Sequence, residues 1–371
     1  MDAMFSCLLF LITILSLFAG RGNAEKAQAL FVFGDSSVDT GNHDPYNQSV
    51  NQPWRRPYGL TWPGYPTGRY ASGKMQTDFW GDILGLPAPI PYELLKSHEC
   101  KANAEKIRQG VNFAVGGSGI FRDYGFTTVP QQVKQFKKLI GGSQGFDSHK
   151  LSQSVVLMSV VGNDYGAFLN INNGSIKGLV DLAKPVVSGI IDAVTELYES
   201  GLRNFAVSNI LSFGCMPQNG RTSCISTYDN ITALHTRLLR EGVESLRSNF
   251  KEISIIISDF VTATNYVISN HRQYGFVDLL VPCCAAKGRV DMCAEVDKVG
   301  RPLFEVCSNV DEKFYLDFGH PTQRGWHAIM SLYSNGVKGD NKTMSFIEGA
   351  PNIIAWLHSI GFVAYNVSSQ A

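Results

Sequence analysis

Short apolar runs that alternate with helical stretches constrain the fold of this chain more than any other feature. The apolar runs lie at residues 27–33, 155–161, 204–210 and 253–259, and helical periodicity appears at 179–198 and 233–246. Strands that are apolar along their whole length are buried on both faces, which is typical of a parallel sheet covered by helices. We therefore predict an α/β fold in three layers, α/β/α, around a central and mostly parallel sheet. Ligands of such sheets bind at the carboxyl ends of the strands.

The balance of charges excludes one class of partner. Lys and Arg together number 32, as do Asp and Glu, so the formal net charge of the 371 residues is zero. A chain without a global basic field does not attract nucleic acid, and we expect no nucleic-acid partner.

The hydrophobic fraction of 44% is ordinary for a globular protein. We predict one domain over residues 25–371, acting as a monomer.

The N-terminus predicts export. An apolar run at residues 5–19 is followed by Gly-Asn-Ala at 22–24, which is typical of a signal peptide over residues 1–24 that is cleaved after Ala24. A membrane anchor is the alternative, but the run is shorter than the ~20 residues that span a bilayer. No later stretch is long and apolar enough to insert stably into a membrane. We therefore expect a secreted protein, in the extracellular space or the vacuole.

Sequons and cysteines agree with this compartment. Five Asn-X-Ser/Thr triplets are candidate glycosylation sites, at Asn47, Asn173, Asn230, Asn341 and Asn366. Seven of the eight cysteines lie beyond the predicted signal peptide. We expect disulfides rather than a zinc site, because the compartment is oxidising and the chain has no Cys-X-X-Cys pair.

We predict which cysteines form these disulfides only in part. One bond is expected to join Cys215 to Cys224. Two more are expected among the four cysteines of one segment, with the adjacent pair bound to different partners: Cys283, Cys284, Cys293 and Cys307. This leaves Cys100 as the free thiol.

Four segments supply the parts of a hydroxyl-nucleophile site. Such a site needs a nucleophile, a base, a carboxylate that orients the base, and donors for the developing oxyanion. Gly-Asp-Ser-Ser at 34–37 places Ser36 in a tight turn after the first strand. A glycine-rich turn at 112–119 offers backbone N–H groups, and Gly-Asn-Asp at 162–164 offers the amide of Asn163. Each of these patterns also occurs in ordinary turns.

The fourth segment is Asp-Phe-Gly-His-Pro-Thr at 317–322. Pro321 suits the first position of a helix, which would place His320 at the helix cap. Asp317 then accepts the Nδ1 proton of His320 and leaves Nε2 as the base. A solvent-exposed histidine at a helix start is the alternative.

Taken in order, these segments resemble the plant GDSL-type esterases and lipases of the SGNH hydrolase superfamily. The similarity runs from residue 31 to about 334, and it includes 31–42, 110–117, 161–164 and 317–322; Arg-Tyr-Ala-Ser-Gly-Lys at 69–74 also looks like the plant branch. The resemblance implies a flavodoxin-like α/β/α fold and a triad of Ser36, Asp317 and His320. It also implies an oxyanion hole made by the N–H groups of Ser36 and Gly117 and the amide of Asn163. The chain departs from the family pattern at Ser37, where the family has Leu.

The resemblance implies an enzyme that hydrolyses a carboxylic ester through an acyl-Ser36 intermediate, without a metal or organic cofactor. The ester is a small-molecule, lipid or glycan ester. One alternative is an acyltransferase that passes the same acyl group to an alcohol. Another is a catalytically idle ligand-binding protein on the same scaffold.

Two further segments bear on the site. Residues 141–145 match Gly-X-Ser-X-Gly, the nucleophile elbow of α/β-hydrolases, with Ser143 as nucleophile. That elbow needs a preceding strand, whereas 131–139 predicts a helix, so we place Ser143 in a loop.

Segment 53–80 lacks periodicity, and we predict an irregular loop that either walls a pocket or packs as ordinary surface. Its aromatic residues are candidates for a lid: Trp54, Tyr58, Trp62 and Tyr65.

Overall fold

The computed structural model describes residues 24–47, 52–96, 104–121, 127–142, 145–217, 224–286, 293–339 and 343–367. Its strands are β1 Leu30–Gly34, β2 Ile90–Pro91, β3 Val111–Asn112, β4 Val155–Ser159, β5 Asn204–Ser208, β6 Ser254–Ser258, β7 Cys284–Ala285, β8 Glu305–Val306, β9 Val337–Lys338, β10 Thr343–Met344 and β11 Ile347–Glu348. Its α-helices are α1 Gln76–Leu84, α2 Ala104–Arg108, α3 Val129–Ile140, α4 Ser148–Ser152, α5 Asn163–Ile171, α6 Leu179–Glu199, α7 Asp229–Asn249, α8 Phe260–Ser269, α9 Gln323–Asn335 and α10 Ile353–Ser359. Short 3-10 helices lie at Gln52–Trp54, Tyr92–Lys96, Phe213–Cys215, Ser226–Tyr228, His271–Tyr274 and Val310–Glu312.

Seven strands form one sheet in the order β2-β3-β1-β4-β5-β6-β11. The pairs from β2 to β6 are parallel, and β11 runs antiparallel to β6. The five strands β3-β1-β4-β5-β6 follow the chain order second, first, third, fourth, fifth, which is the flavodoxin-like order. The direction of winding reverses between β1 and β4, and ligands of such sheets bind at this switch point.

The sheet is covered on both faces because side chains alternate along each strand. Phe31 and Phe33 of β1 face one core, where both rings contact Phe136 of α3. Leu30 and Val32 face the other core. The first core is completed by α5, α6 and α7, and the second by α1, α8, α9 and α10. The predicted three-layer α/β/α arrangement is therefore confirmed.

The four predicted strands and both predicted helices are present, with ends shifted by a few residues. The predicted irregular loop at 53–80 is wrong at its C-terminal end, where α1 begins at Gln76. The Asp78 carboxylate accepts the Met75 N–H, and Asp78 also pairs with Arg69, so the start of α1 is stabilised by an acidic residue in its first turn.

Three disulfides lie in the described residues. Cys215 is bonded to Cys224, Cys283 to Cys307, and Cys284 to Cys293. The adjacent cysteines thus reach different partners, and they hold the segment that carries the β7–β8 hairpin. Cys100 and residues 1–23 of the predicted signal peptide lie outside the described residues.

Four of the five sequon asparagines lie in the described residues, and all four are at the surface. Asn47, Asn173, Asn230 and Asn366 are exposed. Asn341 lies outside the described residues. No helix in the described ranges is both long and apolar enough to cross a membrane.

Candidate active site

The turn after β1 presents Ser36 at the switch point of the sheet. Gly34 has φ +138°, and a β-carbon there would overlap the Ser159 carbonyl of β4, so only glycine allows β1 to end this close to its neighbour. The buried Asp35 accepts the N–H groups of Ser37 at 2.9 Å and Val161 at 2.8 Å. Burial raises the pKa of Asp35, and these N–H donors oppose that effect. The turn is thereby tied to the end of β4.

His320 lies between Ser36 and Asp317. Its Nε2 is 2.8 Å from Ser36 Oγ, and its Nδ1 is 2.8 Å and 2.9 Å from the two Asp317 oxygens. Asp317 is fully buried, whereas Ser36 and His320 are partly exposed. The predicted nucleophile, base and orienting carboxylate are therefore brought into one hydrogen-bonded series.

The last motif differs from its prediction at the start of the helix. α9 begins at Gln323, not at Pro321, and Thr322 is its N-cap, with Oγ1 accepting the Gly325 N–H. A threonine hydroxyl satisfies one unpaired N–H of the first turn, which a histidine at the cap would not do as well. Pro321 instead pairs with Tyr315 in an isolated bridge. His320 consequently stands outside the helix.

Tyr58 is a site residue for which the sequence suggested only a place in a lid. Its hydroxyl donates to Asp317 Oδ2 at 2.5 Å, across 259 residues of sequence. Burial and the Asp317 charge raise the pKa of Tyr58 well above its ordinary value, so the phenol keeps its proton. The sequence around Tyr58 has no periodicity, so it does not predict a hydrogen bond to a residue as distant in the chain as Asp317.

Several donors converge on Asp317. Besides Tyr58 and the imidazole, Asp317 Oδ1 accepts the backbone N–H groups of Gly319 at 3.0 Å and His320 at 2.8 Å. Burial alone would raise the pKa of Asp317, but the neighbouring His320 and these hydrogen bonds outweigh it and lower that pKa. Asp317 is therefore an ionised carboxylate at neutral pH, which is the form that orients an imidazole.

The glycine-rich turn after β3 is held by carboxylates from two other motifs. Asp39 accepts the Gly116 N–H at 2.8 Å, and Asp164 accepts the N–H groups of Ile120 at 2.8 Å and Phe121 at 2.9 Å. Burial raises the pKa of Asp39, against its hydrogen bonds and the nearby His43. Gly117 lies between these anchors, with φ +82°.

Asn163 opens α5 directly after β4. Its Nδ2 donates to the Ser118 carbonyl at 2.9 Å, which orients the side-chain amide next to the glycine-rich turn. Ser36, Gly117 and Asn163 all line the same cavity as His320. The three residues predicted to form an oxyanion hole thus line one cavity, together with the predicted base.

The cavity that contains these residues has a volume of about 730 Å³. Tyr58 and Tyr70 of the 53–80 segment line it, while Trp62 and Tyr65 are exposed elsewhere. Within the described ranges, no group of three or more His, Cys, Asp and Glu side chains is arranged to hold a metal ion. The chemistry that this arrangement offers is acid–base and nucleophilic.

The alternative nucleophile has less structural support. The residues before the Gly-X-Ser-X-Gly segment form α3, a helix as predicted, and not the strand of a nucleophile elbow. Ser143 itself lies outside the described residues.

Comparisons with known proteins identify the family. A family model described as GDSL-like lipase/acylhydrolase matches residues 30–332. Two GDSL esterase/lipases of Arabidopsis thaliana are 32% and 33% identical, covering 82% and 83% of this chain and 85% and 86% of their own lengths. A solved acetylxylan esterase from Geobacillus stearothermophilus overlaps 67% of this chain and 83% of its own, at 12% identity and a TM-score of 0.30, too loosely for its site to be compared. The chain belongs to the family of GDSL-like lipases and acylhydrolases, and it is a carboxylic ester hydrolase.

Proposed function

We propose that this protein hydrolyses its ester through an acyl intermediate on Ser36. The observation that carries the proposal is the continuous hydrogen-bonded series from Ser36 Oγ through His320 to Asp317. In the first step His320 Nε2 takes the Ser36 proton while Oγ attacks the ester carbonyl. Asp317 remains ionised and stabilises the imidazolium that forms.

The tetrahedral intermediate carries its negative charge on the former carbonyl oxygen. We assign its stabilisation to the N–H groups of Ser36 and Gly117 and to the amide of Asn163, which face one cavity with the nucleophile. When the intermediate collapses, His320 gives its proton to the leaving alkoxide and the acyl group stays on Ser36. A water molecule then attacks the acyl carbon while His320 takes its proton. As the bond between the acyl carbon and Ser36 Oγ breaks, His320 returns the proton to Oγ and the free acid leaves.

The direct test is covalent labelling. A fluorophosphonate should modify the purified protein at Ser36, and Ser36→Ala should abolish both labelling and ester hydrolysis. Removing a triad nucleophile typically costs about 10⁶ in kcat. The exposed-surface variant Ser359→Ala in α10 is the matched control, and it should label normally. Labelling at Ser143, or a protein that binds esters without turning them over, contradicts the proposal.

The same intermediate permits transfer to an alcohol, so hydrolysis itself needs a partition experiment. An activated ester is supplied with increasing alcohol, and free acid is measured against transferred ester. We expect free acid to dominate at millimolar alcohol. Capture of most of the acyl group by an alcohol under these conditions would make the protein an acyltransferase.

We also propose that the protein is secreted and glycosylated. Three disulfides and four exposed sequon asparagines support an oxidising, glycan-bearing compartment. N-terminal sequencing of the mature protein should begin at Glu25. Treatment with an N-glycosidase should lower its mass, and an unchanged mass would contradict the glycan assignment.

A further inference from the structure

The candidate active-site cavity has two chemically different ends. Leu211, Phe213 and Met216 follow β5, and together with Phe260 of α8 they make one end apolar. The other end contains the polar side chains of His43 and Tyr70, which lie against Gly116 of the glycine-rich turn after β3. Because β3 and β5 lie on opposite sides of the β1–β4 pair, the two ends flank Ser36 and Asn163.

The apolar end is in contact with both loops of the site. A β-carbon on Gly162 would overlap the Phe213 ring, and one on Gly319 would overlap the Met216 methyl group. These glycines immediately precede Asn163 and His320. Phe213 and Met216 therefore stand against the backbone of the oxyanion donor and of the base, and the Cys215–Cys224 disulfide holds the segment that carries them.

The polar end lies beside the imidazole. The Tyr70 ring is 4.9 Å from the His320 ring, centroid to centroid, and the hydroxyl end of Tyr70 abuts Gly116, next to Gly117. In the part of the chain that the structure describes, no hydrogen bond engages the Tyr70 hydroxyl, although it lines the cavity. A hydroxyl that faces a cavity without a protein partner is available to hydrogen-bond to a ligand.

Proton transfer decides which part of the ester occupies which end. The leaving oxygen must receive its proton from His320 Nε2, so the alcohol part lies beside the imidazole. Tyr70 is a polar side chain that lies beside the imidazole, with its ring tilted by 34° from the His320 ring. The acyl chain leaves the carbonyl carbon on the side away from Tyr70, toward Phe213, which lies against the backbone next to Asn163.

We propose that the cavity is built for esters that join an apolar acyl chain to a hydroxyl-bearing alcohol. The acyl chain lies against Phe213, Met216 and Leu211, and a hydroxyl group of the alcohol hydrogen-bonds to Tyr70. This inference rests on the proposed function, because it takes Ser36 and His320 as the reacting groups.

The test crosses two series of esters with two variants. One series varies the acyl length from acetyl to dodecanoyl with ethanol as the alcohol; the other holds the octanoyl group and varies the alcohol from ethanol to glycerol and glucose. Tyr70→Phe should lower kcat/KM for the glycerol and glucose esters about 3- to 10-fold and change that of the ethyl esters less than about twofold. Phe213→Ala should shift the acyl preference roughly tenfold toward longer chains and leave the alcohol preference unchanged.

Controls separate this proposal from the chemistry on which it rests. Tyr65→Phe alters an exposed tyrosine of the same segment and should change neither series. Phe213→Leu replaces Phe213→Ala if the alanine variant does not fold, with the same direction of change expected. The proposal would be overturned if Tyr70→Phe lowered kcat/KM equally for both series, or if Phe213→Ala left the preference for acyl length unchanged. Failure of the proposed function would appear differently, as hydrolysis that survives in Ser36→Ala.

Discussion

The hydrogen bond from Tyr58 to Asp317 offers a sharp test of how the site is held. Tyr58→Phe removes one oxygen atom and keeps the ring, which is 3% exposed. Asp317 then loses the donor at 2.5 Å but keeps the imidazole and the N–H groups of Gly319 and His320. We therefore expect a folded protein in which the carboxylate is less firmly oriented.

The magnitude follows from the charge and burial of the acceptor. A hydrogen bond to a charged group contributes about 1.5–3 kcal/mol, so the free energy of unfolding at pH 7 should fall by that amount. If the less firmly oriented carboxylate stabilises the transition state by about 1.4 kcal/mol less, kcat falls roughly tenfold. KM should change little, because Tyr58 acts through Asp317 as a positioning residue.

The pH dependence distinguishes this role from simple packing. The folded protein lowers the pKa of Asp317 below the unfolded value of about 3.9, and Tyr58 is one cause. A lowered carboxyl pKa stabilises the folded state above the unfolded pKa, and this contribution is lost as the pH falls through the folded pKa. Because the unfolded state is the same in both proteins, the stability difference between wild type and Tyr58→Phe should be full at pH 7 and be lost only as the pH falls through the lowered folded-state pKa of Asp317.

The assay is urea unfolding at a series of pH values, with kcat measured on one activated ester. Tyr65→Phe, at an exposed tyrosine, is the control and should match wild type throughout. A stability difference that stays the same after Asp317 has become protonated in both folded proteins, as followed by an NMR titration of its carboxyl group, would mean that Tyr58 only fills space. An unchanged kcat would refute its role in orienting Asp317.

Three further outcomes are expected. Asn163→Ala should lower kcat by roughly 10²–10³, or about 2.7–4 kcal/mol, and a change in KM alone would contradict its place in the oxyanion hole. Thr322→Ala should lower the free energy of unfolding by about 1 kcal/mol, seen as a reduced Tm, whereas a helix that began at Pro321 would tolerate it. Under non-reducing, denaturing conditions one thiol, Cys100, should react with iodoacetamide in the mature protein, and peptide mapping that finds Cys100 in a disulfide would refute this.

The central sheet was predictable because its strands are buried on both faces. β1, β4, β5 and β6 each contain three or four consecutive apolar residues, and short apolar stretches bounded by turn residues favour buried strands. β2, β3 and β11 are two residues long and carry no periodic signal. Their strand conformation comes from pairing with distant neighbours, as Ile90 pairs with Val111, and a local pattern does not encode such pairing.

The site was predictable to the extent that its residues lie in short motifs at strand ends. Ser36, Gly117 and Asn163 follow β1, β3 and β4, whose carboxyl ends meet at one edge of the sheet. The start of α9 was misplaced because Pro321 and Thr322 are both helix-start signals, and only the hydrogen bond from Gly325 selects between them. Tyr58 lies in a segment without periodicity, so nothing local connects it with Asp317.

The acidic residues of the motifs explain why separate turns form one site. Three motif carboxylates accept N–H groups of a neighbouring turn: Asp35 from Val161, Asp39 from Gly116, and Asp164 from Ile120. All three carboxylates are nearly or fully buried, and leaving buried N–H groups unpaired would cost about 1–3 kcal/mol each. The turns that carry the proposed nucleophile and the proposed oxyanion donors are thus joined pairwise at the switch point of the sheet. A carboxylate lost from one of these motifs would displace the N–H groups offered by another, so the three motifs at 31–42, 110–117 and 161–164 function as one structural unit.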